Sequence, residues 1–297
     1  MNWHLHSHAR GLIVSGVLIL VVIGLPMGFA LNRTGDEMKQ AVSVMTCNIG
    51  DIVGGNPLDS DQVAAFIRDC GVRDVLLLQE VRGEKEAAYL SRQLNRPGFV
   101  FLPDHDSDQL TQMGIAILSG LPVLGHDILY FTDSRRGAGA VAVEIDMHGT
   151  RVWVVNVHLD RVGFVTPGND RVPVSRDLMV RFVKKELMGE SARSRSVKEL
   201  MAWLDKKNPD HVVLGGDFNT IPFSKTVRQL CPGFDDVLWP SLDYFKGTYT
   251  KLDFPIAPRI DFLFVSAALG RKNARVIPKS PGDHFPVRAD ILIPGQG

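Results

Sequence analysis

Hydrophobic and polar positions along the chain fall into patterns that assign most of its elements. Val42-Ser43-Val44-Met45-Thr46-Cys47-Asn48 is rich in β-branched residues and stops at Gly50, which predicts a strand. Between Ser60 and Asp69, the residues Val63, Ala64, Phe66 and Ile67 recur at helical spacing and define one inner face. Asp74-Val75-Leu76-Leu77-Leu78-Gln79-Glu80 is almost continuously apolar, as expected of a strand buried on both faces. More strands are predicted near 113–118, 124–131, 138–146 and 151–158, followed by a helix-rich basic stretch from about 174 to 206. Strands return at His211–Gly215, Arg259–Val265 and about Asp290–Leu292. The pattern is mixed α/β, with no composition break between 41 and 297 and no solenoid-like repeat, so residues 41–297 are read as one domain.

The N-terminus obeys a different rule. From Gly11 to Asn32 there is no charged residue, and about 20 apolar residues are enough for a helix to span a bilayer. Arg10 precedes the segment, which favours a cytoplasmic start and export of the body of the chain. Gly28-Phe29-Ala30, just after Pro26, has the small-x-small form of a signal-peptide cleavage site. The same segment equally fits an uncleaved membrane anchor. Residues 1–31 are therefore expected to be a signal peptide or anchor and 32–40 a polar linker, with a membrane-anchored or exported body outside the cytoplasm. His4, His6 and His8 alternate ahead of the segment and are read as chance, not as a metal site.

Composition narrows the classes. The 297 residues are 45% hydrophobic and 22% charged, ordinary for a globular protein. With 33 basic and 33 acidic residues there is no global field to hold a polyanion, which argues against an architectural nucleic-acid binder. It leaves room for an enzyme that meets phosphate in a local cleft. Cys47, Cys70 and Cys231 are widely spaced and odd in number, so neither a zinc knuckle nor a disulfide framework fits.

Polar residues stand where predicted strands end. Asn48 closes the first strand, Glu80 closes DVLLLQE and His158 closes RVWVVNVH. Asp217 and Asn219 come after HVVLGG, Asp261 opens DFLFV, and Asp283-His284 precedes Phe285-Pro286-Val287. Each has an ordinary explanation alone, as a cap, a surface pair or a backbone donor. Together they describe one acidic pocket, suited to a hard divalent cation such as Mg²⁺ that takes oxygen ligands. The histidines are then free for proton transfer or anion contact. No HExxH, CxxC, Walker-type loop or GxSxG elbow competes.

The ordered segments TCNIG, LLLQE, GIAILS, VVNVHL, GGDFNT, RIDFLFVS and GDHFPV resemble the endonuclease/exonuclease/phosphatase (DNase I-like) superfamily over residues 42 to 288. The resemblance implies a four-layer α/β sandwich, two packed and mostly antiparallel sheets with helices outside, here preceded by an N-terminal apolar helix. It implies metal-binding roles for Glu80, Asn48 and Asp283. It also implies that Asp217 orients or deprotonates the attacking water, that Asn219 and His284 hold the phosphate, that Asp261 orients His284, and that His158 is the acid for the leaving oxygen. The expected cofactor is Mg²⁺, with Mn²⁺ as an alternative. Two departures stand out. Many family nucleases carry an acid where this chain has Gly50, and the Glu that usually accompanies the DNase-type His has only Gln112 as a counterpart.

The implied function is metal-dependent hydrolysis of a phosphate ester by in-line attack of water, foremost as an exported or membrane-anchored endonuclease/exonuclease-type hydrolase. The alternative is a phospholipid or sphingomyelin phosphodiesterase or phosphatase at a membrane, held there by residues 11–31; a third is an inactive binding module. The expected partner is a nucleic acid or a phospholipid headgroup, and the expected state a monomer. Arg161 to Lys207 contains eleven Lys or Arg against six Asp or Glu, read either as a solvated helical face or as a guide for a polyanion. Arg135 and Arg136 are candidate phosphate contacts, and 161–173, with Phe164, Pro167 and Gly168, is a candidate substrate-facing loop.

Overall fold

The computed structural model describes residues 40–294, apart from 51, 54–55, 58, 105–112, 135–138, 162–171, 174–175 and 254–256. The predicted N-terminal helix and the readings at His4, His6, His8, Gln112, Arg135, Arg136, Phe164, Pro167 and Gly168 lie outside the described residues. Among the described residues no helix is long and apolar enough to cross a membrane.

Alternation of side chains along each strand explains the layering. In β2 (Val75–Arg82), Val75 and Leu77 face one way, into a core shared by two sheets. Leu76 and Leu78 face the other way, onto helices α1 (Ser60–Asp69) and α2 (Gly83–Gln93). A strand sandwiched in this way must be apolar at consecutive positions. The central core joins Val42, Val44, Ile115 and Ile117 to Val141, Val143, Val154, Val213, Leu263 and Val265. A third core packs Ala142, Val155, Val157, Leu214, Phe262 and Phe264 beneath Val197, Leu200 and Leu204 of the helix Ala192–Lys207.

The first sheet contains β1 (Gln40–Asn48), β2, β3 (Gly98–Pro103), β4 (Met113–Ser119), β11 (Gly270–Val276) and β12 (Val287–Ile293), ordered β11-β12-β1-β2-β4-β3. The second contains β5 (Val123–Tyr130), β6 (Gly139–Met147), β7 (Thr150–His158), β8 (Val212–Asp217), β9 (Phe234–Asp236) and β10 (Asp261–Ser266), ordered β9-β10-β8-β7-β6-β5. Each sheet has one parallel pair, β1 with β2 and β8 with β7, and is otherwise antiparallel. Two mixed six-stranded sheets with helices outside match the expected four-layer sandwich. The helix-rich stretch 174–206 is two helices, α3 (Arg176–Met188) and α4 (Ala192–Lys207). Ser191 and Ser194 form a capping box that restarts the chain as α4.

Candidate active site

The two parallel pairs determine where chemistry collects. Parallel neighbours end at the same edge, so Asn48 lies beside Gln79-Glu80 in one sheet and His158 beside Asp217 in the other. β10 runs antiparallel to β8, so it begins where β8 ends, and Asp261 pairs with Asp217. Tyr249 bridges to His284 and adds the last loop to the same edge.

Local backbone features aim the side chains. Register shifts between Leu78 and Val81, and Glu80 takes a left-handed φ of 56°. Such a bulge turns a side chain out of the sheet and costs on the order of 1–3 kcal/mol in a residue with a Cβ. Gly216, at φ 145°, must be glycine for a second reason: a Cβ there would lie 1.9 Å from the Val157 carbonyl oxygen. Beneath the pocket, Gln79 donates to Asn156 Oδ1 at 2.6 Å, while Asn156 donates to the carbonyls of Leu78 and Ala116. This fully buried polar tie, which carries no signal in the sequence, locks the two sheets together under the site.

The pocket is a tight array of carboxylates and imidazoles. Asn48 Nδ2 donates to Glu80 Oε1 at 3.0 Å and to Asp217 Oδ2 at 3.1 Å, so one amide connects the acids of the two sheets. Its Oδ1 accepts from Gly50 N–H. Asn48 thus orients the acids through its nitrogen, and Glu80 is the stronger candidate for metal contact. Asp217 Oδ1 accepts from Asn219 N–H at 2.8 Å, and the Asn219 side chain donates to the Leu159 carbonyl. His284 Nδ1 meets Asp261 Oδ2 at 2.9 Å; its Nε2 lies 3.8 Å from Asp283 Oδ1 and 3.9 Å from Asp217 Oδ2. His158 Nε2 stands 3.7 Å from Asp217 Oδ2 and 3.9 Å from Glu80 Oε1. All eight sequence-predicted residues therefore reach one strand edge.

Charge is unevenly placed within this group. Burial pushes the Asp217 carboxyl up to about 7, with His284 working against the rise and Asp261 adding to it. Burial alone would raise Glu80 too, but Arg161, His158 and the Asn48 amide bring it below its ordinary value. Burial drives His158 down to about 4, so it is neutral near pH 7. For His284 the same burial is overcome by Asp261 and Asp283, and the imidazole is held protonated well above its ordinary value.

Two residues beyond the expected set belong here. Arg161 is ion-paired to Glu80, and Asp104, just after β3, is raised to about 7 by burial and by Glu80. Arg161 stands out in the sequence only as the start of the basic stretch and of the candidate loop 161–173, and Asp104 carries no signal there.

The donor set fits a hard cation. Asp217 and Asp261 bring carboxylate oxygens within 4.8 Å of each other, and Asp261 Oδ1 is buried without a hydrogen-bond partner among the described residues. An orphaned carboxylate oxygen in such a place is expected where an ion supplies the missing contact.

Comparisons with known proteins identify the fold and the family. The Endonuclease/Exonuclease/phosphatase family profile matches residues 45–284. The fold is similar to that of an endonuclease/exonuclease/phosphatase from Beutenbergia cavernae, with 21% identity, a TM-score of 0.64, and coverage of 86% of this chain and 72% of that one. A Bacteroides vulgatus endonuclease/exonuclease/phosphatase gives 19% identity and a TM-score of 0.65 over 86% of this chain and all 100% of its own. TDP2 from Caenorhabditis elegans gives 21% identity and a TM-score of 0.62 over 96% and 80%. A sequence search of curated proteins finds no match. At these identities the solved structures attest the fold, and the profile, spanning the strand ends from β1 to His284, attests the family: the chain belongs to the endonuclease/exonuclease/phosphatase family.

Proposed function

We propose that this protein is a divalent-metal-dependent phosphoesterase, foremost of the endonuclease/exonuclease type, whose catalytic groups are the residues at this strand edge. Family membership supports phosphoester hydrolysis as the reaction class. The observation that carries the reading further is the Asn48 amide spanning Glu80 and Asp217, which puts a cation-ready acid and a base-ready acid side by side.

Glu80 and Asp283, the acids that the family resemblance assigns to the metal, would hold Mg²⁺ or Mn²⁺, and the bound ion would neutralise charge on the phosphoryl group. Asp217, with a pKa near neutrality, is placed to hold the attacking water and take its proton. Protonated His284, steadied by Asp261 at Nδ1, presents Nε2–H to a phosphoryl oxygen. Asn219 fixes the Asp217 carboxylate through its backbone N–H. The family resemblance makes His158 the acid for the leaving oxygen. Its low pKa instead favours a neutral hydrogen-bond donor, which leaves His284 as the charged proton holder.

A lipid-headgroup reading has one observation in its favour. Leu242 and Phe245 are 86% and 60% exposed, and residues three apart on a 3-10 turn share a face. The segment carrying them runs on to Thr248 and Tyr249, which meet Asp261 and His284. An apolar pair at that position suits contact with a membrane surface.

The test is hydrolysis with Mg²⁺ or Mn²⁺, and with EDTA, of plasmid DNA, RNA, sphingomyelin vesicles and a generic phosphodiester. Metal-dependent cleavage of nucleic acid is expected, reduced at least about 10³-fold in Asp217→Ala and His284→Ala. Cleavage of vesicles alone establishes the lipid reading. Full activity in either variant refutes the assignment of residues.

A further inference from the structure

The Glu80 carboxylate already has a cation. Arg161, three residues past His158, pairs through Nη2 with Glu80 Oε1, the same oxygen that accepts from Asn48. On the other side of Glu80 the backbone of Gly50 lies close. A Cβ at Gly50 would fall 2.2 Å from both Cβ and Oε2 of Glu80, so the acid expected from the family resemblance at position 50 has no space here. The backbone just before Arg161 is anchored: the carbonyl of Asp160 accepts from Arg193 Nη1 at 2.9 Å, and Arg193 is itself held on Glu186. The Arg161 side chain keeps 32% of its surface in solvent, so it touches the carboxylate and is still partly open to solvent.

A guanidinium has five donors in a planar fork that matches two oxygens at once, and carboxylate and phosphoryl oxygens are both good partners. We propose that Arg161 is a resident cation of the pocket that competes with the divalent ion for Glu80 and binds the phosphoryl oxygens of the substrate. The inference rests on the metal-dependent function proposed for the site. Taking up an ion at Glu80 frees the guanidinium for the phosphate, so loading of metal and grip on substrate are linked through one side chain.

The test is calorimetric titration of Mn²⁺ into the full chain in detergent micelles, comparing the unmodified protein with Arg161→Met, Arg161→Lys and Glu80→Gln. Binding of inorganic phosphate is then measured at saturating Mg²⁺. Mn²⁺ is expected to bind Arg161→Met about tenfold more tightly than the unmodified protein, and phosphate about tenfold more weakly. Arg161→Lys keeps the competing charge but not the fork, so its Mn²⁺ affinity stays near that of the unmodified protein while phosphate binding falls. Equal or weaker Mn²⁺ binding by Arg161→Met at an unchanged melting temperature overturns the inference alone. Should Arg161→Met not fold, Arg161→Lys decides, and phosphate binding equal to the unmodified protein overturns the proposal. No Mn²⁺ binding by the unmodified protein, or undiminished binding by Glu80→Gln, overturns both the metal reading of Glu80 and this inference.

Discussion

Asp217 is 1% exposed, faces two histidines and a second aspartate, and titrates near neutrality because burial disfavours its charge. A carboxyl whose folded pKa of about 7 exceeds its ordinary 3.8 binds a proton in the folded state that the unfolded chain has already lost. Its contribution is therefore most favourable below the ordinary value and is lost as pH rises through about 7. His158 works in the opposite direction: its pKa of about 4 gives stability present above 6.5 and lost as pH falls toward 4. Asp217→Asn removes the first effect and keeps the second. In EDTA at pH 8 this variant is expected to melt on the order of 5 °C higher than the unmodified protein while losing hydrolysis. A lower melting temperature would show that the charged carboxylate is a net stabiliser. The Asn48, Glu80, His158, Asp217, Asp261 and His284 positions are legible in the sequence because a polar group closing or opening an apolar run has few reasons to be there. Asp104 is not legible, because its environment is made by Glu80 and Arg161, which are distant in sequence.

Elements are legible where burial imposes a period. The helix Ser60–Asp69 has the expected bounds, and β2 begins within one residue of its apolar run. Several elements escape, three of them for a legible reason. The helix Gly83–Gln93 starts without a side-chain cap and continues its strand with no intervening loop, so no start signal separates them. Gly98–Pro103 and Gly270–Val276 are edge strands, and the second, GRKNARV, is polar because an edge presents charge to water. Between elements, a buried cluster joins α3 to the site loop. Glu186, whose side chain is fully buried, receives Arg193 Nη2 at 2.6 Å and Thr220 Oγ1 at 2.6 Å. Removing one member of a buried pair leaves the other charge uncompensated. Arg193→Met is thus expected to lower unfolding free energy by about 3–5 kcal/mol in urea titration. A loss below about 1 kcal/mol would show that Thr220 and Ser191 alone suffice for Glu186.

Across the whole molecule, the basic stretch 161–207 has the composition of a rail for a polyanion, but many of its cations are engaged internally. Arg193 pairs with Glu186, Arg195 with Asp133, Lys198 with Glu190 and Lys207 with Asp127, while Lys207 also lies over Trp153 and Trp203. The direction of β1 adds a last constraint. Gln40 pairs with Ile293 at one end of the first sheet and Asn48 enters the pocket at the other, and nine residues at strand rise place them about 26 Å apart. The polypeptide consequently joins the sandwich at the pole opposite its working mouth. Cutting the chain before that end is therefore expected to leave the proposed catalytic groups undisturbed. A chain beginning at Glu37 should hydrolyse a soluble phosphodiester as fast as the full chain, and a marked fall in its steady-state rate would mean that residues before Glu37 reach around the fold to the mouth.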